Sequence, residues 1–450
     1  MTATWQTAQL VEQDIAHMLH PVTNLHRHRE TGPLVIVRGE GSTVWDSDGK
    51  EYLDAFAGLW NVNVGHGRRE LADVAQEQMA RLAFQPTFFG LATPPAIELA
   101  TKLAQMLPGP LNHFQFTSGG AESNETAIKI ARYYWALGGH KDKVKIISRS
   151  MAYHGIATGA LAATGMPAYW QDFGPLSPGF LHISAPHAYR NGAGLTEAEF
   201  IAKLVGELEE TIAREGAEQI AAFIGEPVQG AGGVVPPPQG YWQAIAAVLK
   251  RHDILLIADE VITGFGRTGT MFGVEQYGFS PDIVSLAKGI TSGYLPLGAV
   301  GVTDEINDRL AEPDRVFMHG FTYSGHPVAC AVGLRNIAIV EDEALPANAD
   351  ARGDQLLAGL HDLGNHAHIG NVRGKGLMAI VEIVADKGTK TSFTAADGVG
   401  VKLQAATRAR GLIVRCNDLG IAVSPPLIIT AAEIEHLVNG IGEAIKEVLG

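Results

Sequence analysis

The chain is short of cysteine: Cys330 and Cys416 are its only two among 450 residues. So few argue against a disulfide framework and suit a reducing cytoplasm. It is also short of positive charge, with 34 Lys and Arg against 48 Asp and Glu and a formal net charge of -14. A surface of that sign repels phosphate backbones and anionic lipid, so neither nucleic acid nor a membrane is expected as a partner. No apolar run approaches the ~20 residues needed to span a bilayer. Residues 1–20 lack the basic head and apolar stretch of a signal peptide, and the expected location is therefore cytoplasmic.

Glycine, by contrast, is plentiful at 53 residues. It serves sharp turns and close approach of backbone to a ligand. A chain of this length exceeds one ordinary core and predicts two or three domains.

Residues 1–33 read as a helix followed by an irregular, solvated arm carrying His20, His26 and His28, with no metal expected. Residues 35–39, 43–46 and 52–54 read as a small strand meander around the turn Asp46-Ser47-Asp48-Gly49. From about residue 90 the pattern alternates. Helical spacing covers 96–107 and 122–137, and short apolar runs at 144–148, 221–226, 254–259, 282–287 and 299–302 read as buried strands. Such alternation predicts an α/β fold with a mostly parallel sheet covered by helices. After residue 330 come a long helix, a strand at 378–383, a helix near 400–410 and a closing helix from 431. With few strand runs, this tail reads as a smaller α+β domain joined by the N-terminal strands. The expected division is 1–59 as part of the small domain, 60–330 as the large domain and 331–450 as the C-terminal small domain.

Three stretches carry chemistry. Leu255-Leu256-Ile257-Ala258-Asp259-Glu260-Val261 is a buried strand ending in two acids, where open α/β sheets place ligand groups. A cap of a helix or turn is the alternative reading. A second buried strand, Ile283-Val284-Ser285-Leu286-Ala287, ends in Lys288-Gly289. Two parallel strands ending in a carboxylate and an amine at one sheet edge make a site more credible than either alone. The third stretch, Phe116-Thr117-Ser118-Gly119-Gly120-Ala121-Glu122, places small residues before a helix, whose free N–H groups and dipole favour an anion.

Together these stretches resemble the signature of class III pyridoxal-phosphate aminotransferases. The likeness runs through Leu256 to Gly269, Ser285-Leu286-Ala287-Lys288-Gly289, Asn61 to Gly67, Tyr153-His154-Gly155, Gly225 to Gly230 and Gly320 to Pro327. Ala57-Gly58-Leu59-Trp60 and Ser424-Pro425-Pro426-Leu427 are similar to the branch that transfers amino groups from ω-amino acids or amines to pyruvate.

The resemblance implies fold type I: a large cofactor domain plus a smaller α+β domain. Lys288 would hold the cofactor, pyridoxal 5'-phosphate, and shuttle the proton, while Asp259 would support the ring nitrogen. Tyr153 and Val261 would face the two sides of the ring. Gly119, Gly120 and Ala121 would bind the phosphate through their backbone, with Ser118, His154 and Glu226 also at the cofactor.

Leu59, Trp60, Phe88 and Tyr153 would wall the substrate pocket, each with core packing as its alternative. Arg415 would grip the carboxylate of the acceptor, since its planar fork binds carboxylate bidentately, with a structural ion pair as its alternative. The family's shared sites imply a homodimer in which Thr322 reaches the neighbour's phosphate and Phe88 and Phe321 line its pocket; pairing of dimers into tetramers is left open.

Two departures stand out. Ala121 replaces a hydroxyl residue of many relatives, so the backbone carries more of the phosphate. Ile262 replaces a glutamine of branches that use 2-oxoglutarate, which favours pyruvate.

Three rival readings remain. Gly264-Phe265-Gly266-Arg267-Thr268-Gly269 matches G-x-G-x-x-G, but acids precede it and no helix is expected to begin within it. Ser285-Leu286-Ala287-Lys288 matches S-x-x-K, but at a strand end. A racemase, aminomutase or decarboxylase with the same cofactor uses the same lysine and aspartate, because the pocket chooses which bond breaks.

Overall fold

The computed structural model describes residues 5–450; residues 1–4 of the expected N-terminal segment lie outside them. The arm that follows is more regular than its composition predicts, with helices α1 (Thr7–His17) and α2 (Leu25–Thr31). His26 and His28 thus stand on a helix, not in an irregular loop. Asp14 supplies the reason: its carboxylate accepts from His20 Nε2 at 2.8 Å and His28 Nε2 at 2.7 Å, tying α2 back to α1.

The expected meander follows as β1 (Ile36–Glu40), β2 (Thr43–Asp46) and β3 (Glu51–Asp54). Helix α3 (Pro94–Met106) then leads into the central sheet. Its seven strands are β4 (Leu111–Thr117), β5 (Lys145–Arg149), β6 (Phe180–Ile183), β7 (Ile220–Gly225), β8 (Leu255–Asp259), β9 (Ile283–Leu286) and β10 (Gly298–Thr303), in the order β4-β10-β9-β8-β7-β5-β6. Only β10 runs against its neighbours; the remaining pairs are parallel. β7, β8 and β9 are buried along their whole length, because helices cover both faces of such a sheet. Helix α4 (Gly120–Leu137) buries Ala127, Ile130, Ala131 and Tyr134 on the stripe its spacing predicts.

The expected single long helix beyond residue 330 is two, α5 (Pro327–Asp342) and α6 (Leu345–Asp362). They break at Ala344, whose φ of 50° a right-handed helix does not admit. The tail also holds more strand than its sequence predicts: β11 (Ile369–Gly374), β12 (Ala379–Ile383), β13 (Leu412–Ile413), β14 (Arg415–Asn417) and β15 (Gly420–Val423). Four of them form a sheet in the order β11-β12-β15-β14, while β13 pairs in parallel with β3 and joins the N-terminal meander. Helices α7 (Val399–Ala409) and α8 (Ala431–Leu449) pack here, and Leu53, Leu403, Leu437 and Ile441 share one apolar cluster. Among the described residues no helix is long and apolar enough to cross a membrane.

Candidate active site

The carboxyl ends of β4, β5, β7, β8 and β9 share one edge of the central sheet, and each is followed by a residue with chemistry. Ser118 follows β4, Tyr153 and His154 lie past β5, Glu226 follows β7, Asp259 ends β8 and Lys288 lies just past β9. The register pairs Asp259 with Ser285, so the lysine sits three residues beyond the acid's direct neighbour.

Asp259 is 3% exposed and well supplied with donors. Its Oδ2 accepts from Asn124 Nδ2 at 2.7 Å and from His154 Nδ1 at 2.7 Å, and its Oδ1 accepts from the Val261 N–H at 3.0 Å. A carboxylate can only accept, so His154 carries its proton on Nδ1; its Nε2 is buried with no partner. Glu226 is buried nearby and accepts from the Tyr153 N–H at 3.0 Å and the Gly230 N–H at 2.8 Å. Burial pushes its carboxyl above the usual range, with the nearby His154 acting the other way.

Lys288 lines a cavity of about 260 Å³ with Asn61, Ser118, Gly119, Gly120 and Thr291. Burial draws its amine below the usual lysine range, although Asp259 and Glu226 pull upward. Its φ of 46° is left-handed, a strained conformation for a residue with a side chain and one that clusters at functional sites.

Across the cavity, α4 begins at Gly120. A Cβ there would fall 2.7 Å from Val261 Cγ1, so only glycine lets the helix start so close to β8; one at Gly119 would meet nothing within 4 Å. Glu122 accepts the Ser118 N–H at 2.8 Å. The next N–H groups, of Gly119, Gly120 and Ala121, reach no backbone acceptor among the described residues. Free N–H groups at a helix start beside open space form an anion cradle.

The other expected site residues lie as follows. Tyr153 meets Tyr169 edge-on at 5.4 Å. Arg415 Nη1 donates to the Ala231 carbonyl at 2.8 Å. Leu59 is exposed, whereas Trp60 is buried and packs edge-on against Phe56 at 5.0 Å. Phe88, Phe321 and Thr322 do not line the lysine cavity. Their segments pack on each other instead: Thr87 Oγ1 donates to the Ser324 carbonyl at 3.1 Å, and a Cβ at Gly320 would meet Phe88 Cζ at 2.8 Å.

Sequence reasoning missed Asn124. The signal was there, since a polar residue sits on the buried stripe of α4 three residues before Ala127 and seven before Ala131.

The rival motifs lose their context. Gly264 to Gly269 is a run of turns in which no helix starts, and Ser285 is buried within β9 rather than at a helix start.

Comparison with known proteins gives a consistent picture. The family model described as aminotransferase class-III matches residues 25–445. The chain is 43% identical over 424 residues to the putrescine–pyruvate aminotransferase of Pseudomonas aeruginosa, covering 94% of this chain and 92% of that one. It is 42% identical over 434 residues to the mitochondrial gamma-aminobutyrate transaminase 1 of Oryza sativa subsp. indica, covering 95% and 84%. Among solved structures it is similar to a thermostable (S)-enantioselective ω-transaminase from Thermomicrobium roseum, with a TM-score of 0.99, 66% identity and 100% of both chains covered.

Proposed function

The chain belongs to the class-III aminotransferases, and from that premise we propose that it moves amino groups from an ω-amino acid or primary amine to pyruvate, releasing alanine. It is a pyridoxal-phosphate-dependent transaminase that takes an amino donor and a 2-oxo acid acceptor. The observation that carries the reading is the meeting of Asp259 and Lys288 at one edge of the central sheet. Pyruvate is supported by the name of the Pseudomonas relative and by Arg415, a cation free to fork a carboxylate. The name of the rice relative supports γ-aminobutyrate as one donor, itself an ω-amino acid.

The residues fit pyridoxal 5'-phosphate: an anion cradle at Gly119, Gly120 and Ala121, a fixed carboxylate at Asp259, and an amine at Lys288 depressed by burial. The cofactor supplies an aldehyde that exchanges amino groups and a ring that draws charge from the bond being broken. Asp259, held by three donors, would accept from the cofactor's protonated ring nitrogen. Lys288 would hold the cofactor and, once freed by the amino donor, its Nζ would carry the proton between the substrate carbon and the cofactor's aldehyde carbon, in the opposite sense in the second half-reaction. Tyr153 and Val261 would confine the ring, Ser118, His154 and Glu226 would support it, and Leu59, Trp60, Phe88, Phe321 and Arg415 would select the substrate.

Residues 60–330 make the cofactor-holding domain, and 1–59 with 331–450 the smaller one, a division supported by the β3–β13 pair. The enzyme is cytoplasmic, in keeping with its two free cysteines. It works as a homodimer that completes each site with Phe88, Phe321 and Thr322 of the neighbouring protomer.

The test is a pair of half-reactions. Cofactor-loaded protein given an amine alone should lose the visible band of the aldehyde form, and pyruvate should restore it. A racemase or decarboxylase needs no acceptor, and turnover without pyruvate would favour those chemistries. Lys288→Ala should abolish turnover; substantial residual activity would overturn the assignment.

A further inference from the structure

Two arginines from opposite edges of the C-terminal sheet reach the same short loop of the large sheet. Arg415 on β14 donates from Nη1 to the Ala231 carbonyl at 2.8 Å. Arg373 on β11 donates from Nε to the Val234 carbonyl at 2.9 Å and from Nη2 to the Gly233 carbonyl at 2.6 Å. The loop between them is pinned from its other side. The Gly230 N–H donates to Glu226, whose second oxygen accepts the Tyr153 N–H. A Cβ at Gly232 would fall 1.8 Å from the Met151 carbonyl, so the backbone is pressed against the strand end that carries Tyr153.

Arg373 is itself fixed. Its Nη1 pairs with Glu382 on β12 and also donates to Asn371 Oδ1 at 3.0 Å. Glu382 is 1% exposed and accepts from Arg190 Nε at 2.6 Å, with His187 Nε2 at 3.4 Å. One buried carboxylate thus orients a guanidinium whose remaining donors hold the loop.

Among the described residues Arg415 makes one hydrogen bond, through Nη1, leaving Nη2 and Nε as a fork. We propose that Arg373, oriented by Glu382, is a positioning residue: it fixes the Ala231 carbonyl so that Arg415 presents that fork to a substrate carboxylate. This rests on the reading of Arg415 as the carboxylate grip. The chemical class selected is any amino or 2-oxo acid small enough to place its carboxylate there. Substrates without a carboxylate gain nothing from the arrangement.

The experiment measures the two half-reactions of the holoenzyme separately by the cofactor's visible band, using alanine alone and (S)-1-phenylethylamine alone. Weakening a charge-assisted hydrogen bond to a carboxylate costs roughly one decade or more in affinity, so Arg373→Gln should raise the half-saturating alanine concentration about ten-fold. The limiting alanine rate and the phenylethylamine reaction should hold within about two-fold. Arg373→Lys, which keeps the charge opposite Glu382 and one donor, should recover part of the loss. If Arg373→Gln does not fold, Gly233→Ala puts a Cβ 3.2 Å from Arg373 Nη2 and should give the same selective defect. Arg415→Ala is measured beside them. A selective loss in Arg415→Ala without one in the Arg373 or Gly233 variants overturns the positioning role alone. Equal loss on both substrates in Arg415→Ala overturns the carboxylate grip, and the positioning role with it.

Discussion

A carboxylate as buried as Asp259 is tolerable only when its lone pairs are occupied. Three donors occupy them, and they are not equivalent. The Val261 N–H belongs to the turn that ends β8, and Asn124 is locked on α4 by a second bond from Nδ2 to the His154 carbonyl at 2.8 Å. Among the described residues the His154 ring has Asp259 alone as partner, its Nε2 being buried without one. Removing that ring deletes one hydrogen bond to a charged group, worth about 1.5–3 kcal/mol, and opens space into which Asp259 can turn. His154→Ala should therefore weaken cofactor binding roughly ten-fold or more. Titrating the cofactor-free variant with pyridoxal 5'-phosphate and following the visible band measures it. A change under about two-fold would mean that backbone and Asn124 fix Asp259 unaided.

At the scale of elements, β12 is an apolar strand with one acid in it, and that acid governs behaviour in acid. Burial alone would raise the Glu382 carboxyl, but His187, Arg373 and Arg190 outweigh it and hold the group at about 2 against an ordinary 4.5. A carboxyl depressed in the fold contributes its full stability above about pH 4.5 and loses it as pH falls toward 2. Thermal unfolding followed from pH 7 to pH 2.5 should show that loss. Glu382→Gln should melt earlier at pH 7, with two guanidiniums left unpaired, yet fall less steeply in acid; parallel profiles for the two proteins would contradict the assignment.

The same strand shows what the sequence makes legible. β8, β9 and β12 announce themselves because both faces are covered and the run is apolar, so Asp259 and Lys288 could be placed at strand ends from sequence. β4 is an edge strand with half-buried Phe114 and Gln115 and exposed Asn112, and β14 is three half-buried residues. Neither leaves an apolar run. Arg373 was invisible for a different reason: its partners Gly233 and Val234 lie about 140 positions away, and no local pattern records a hydrogen bond to a distant carbonyl.

At the scale of the molecule, several large apolar groups away from the lysine cavity have no cover. Phe89 is 97% exposed, Met318 85% and Tyr323 60%, all on the two segments that also carry Phe88, Phe321 and Thr322. Large side chains grouped this way suit the proposed homodimer, in which a two-fold axis would set each such surface against its copy. If the neighbour's Phe321 and Thr322 complete each site, two differently damaged proteins should repair one another. Lys288→Ala chains keep Phe321 and Thr322 intact; chains carrying Phe321→Ala with Thr322→Ala keep Lys288. Each alone should be inactive or nearly so. After unfolding and refolding together, half the dimers are mixed, and one site in each mixed dimer has both sets intact. Activity should rise toward about a quarter of the unmodified enzyme's, the share that two-fold symmetry allows. Within a single self-sufficient chain no mixing can reunite the two sets, so activity equal to the average of the separate proteins would exclude shared sites.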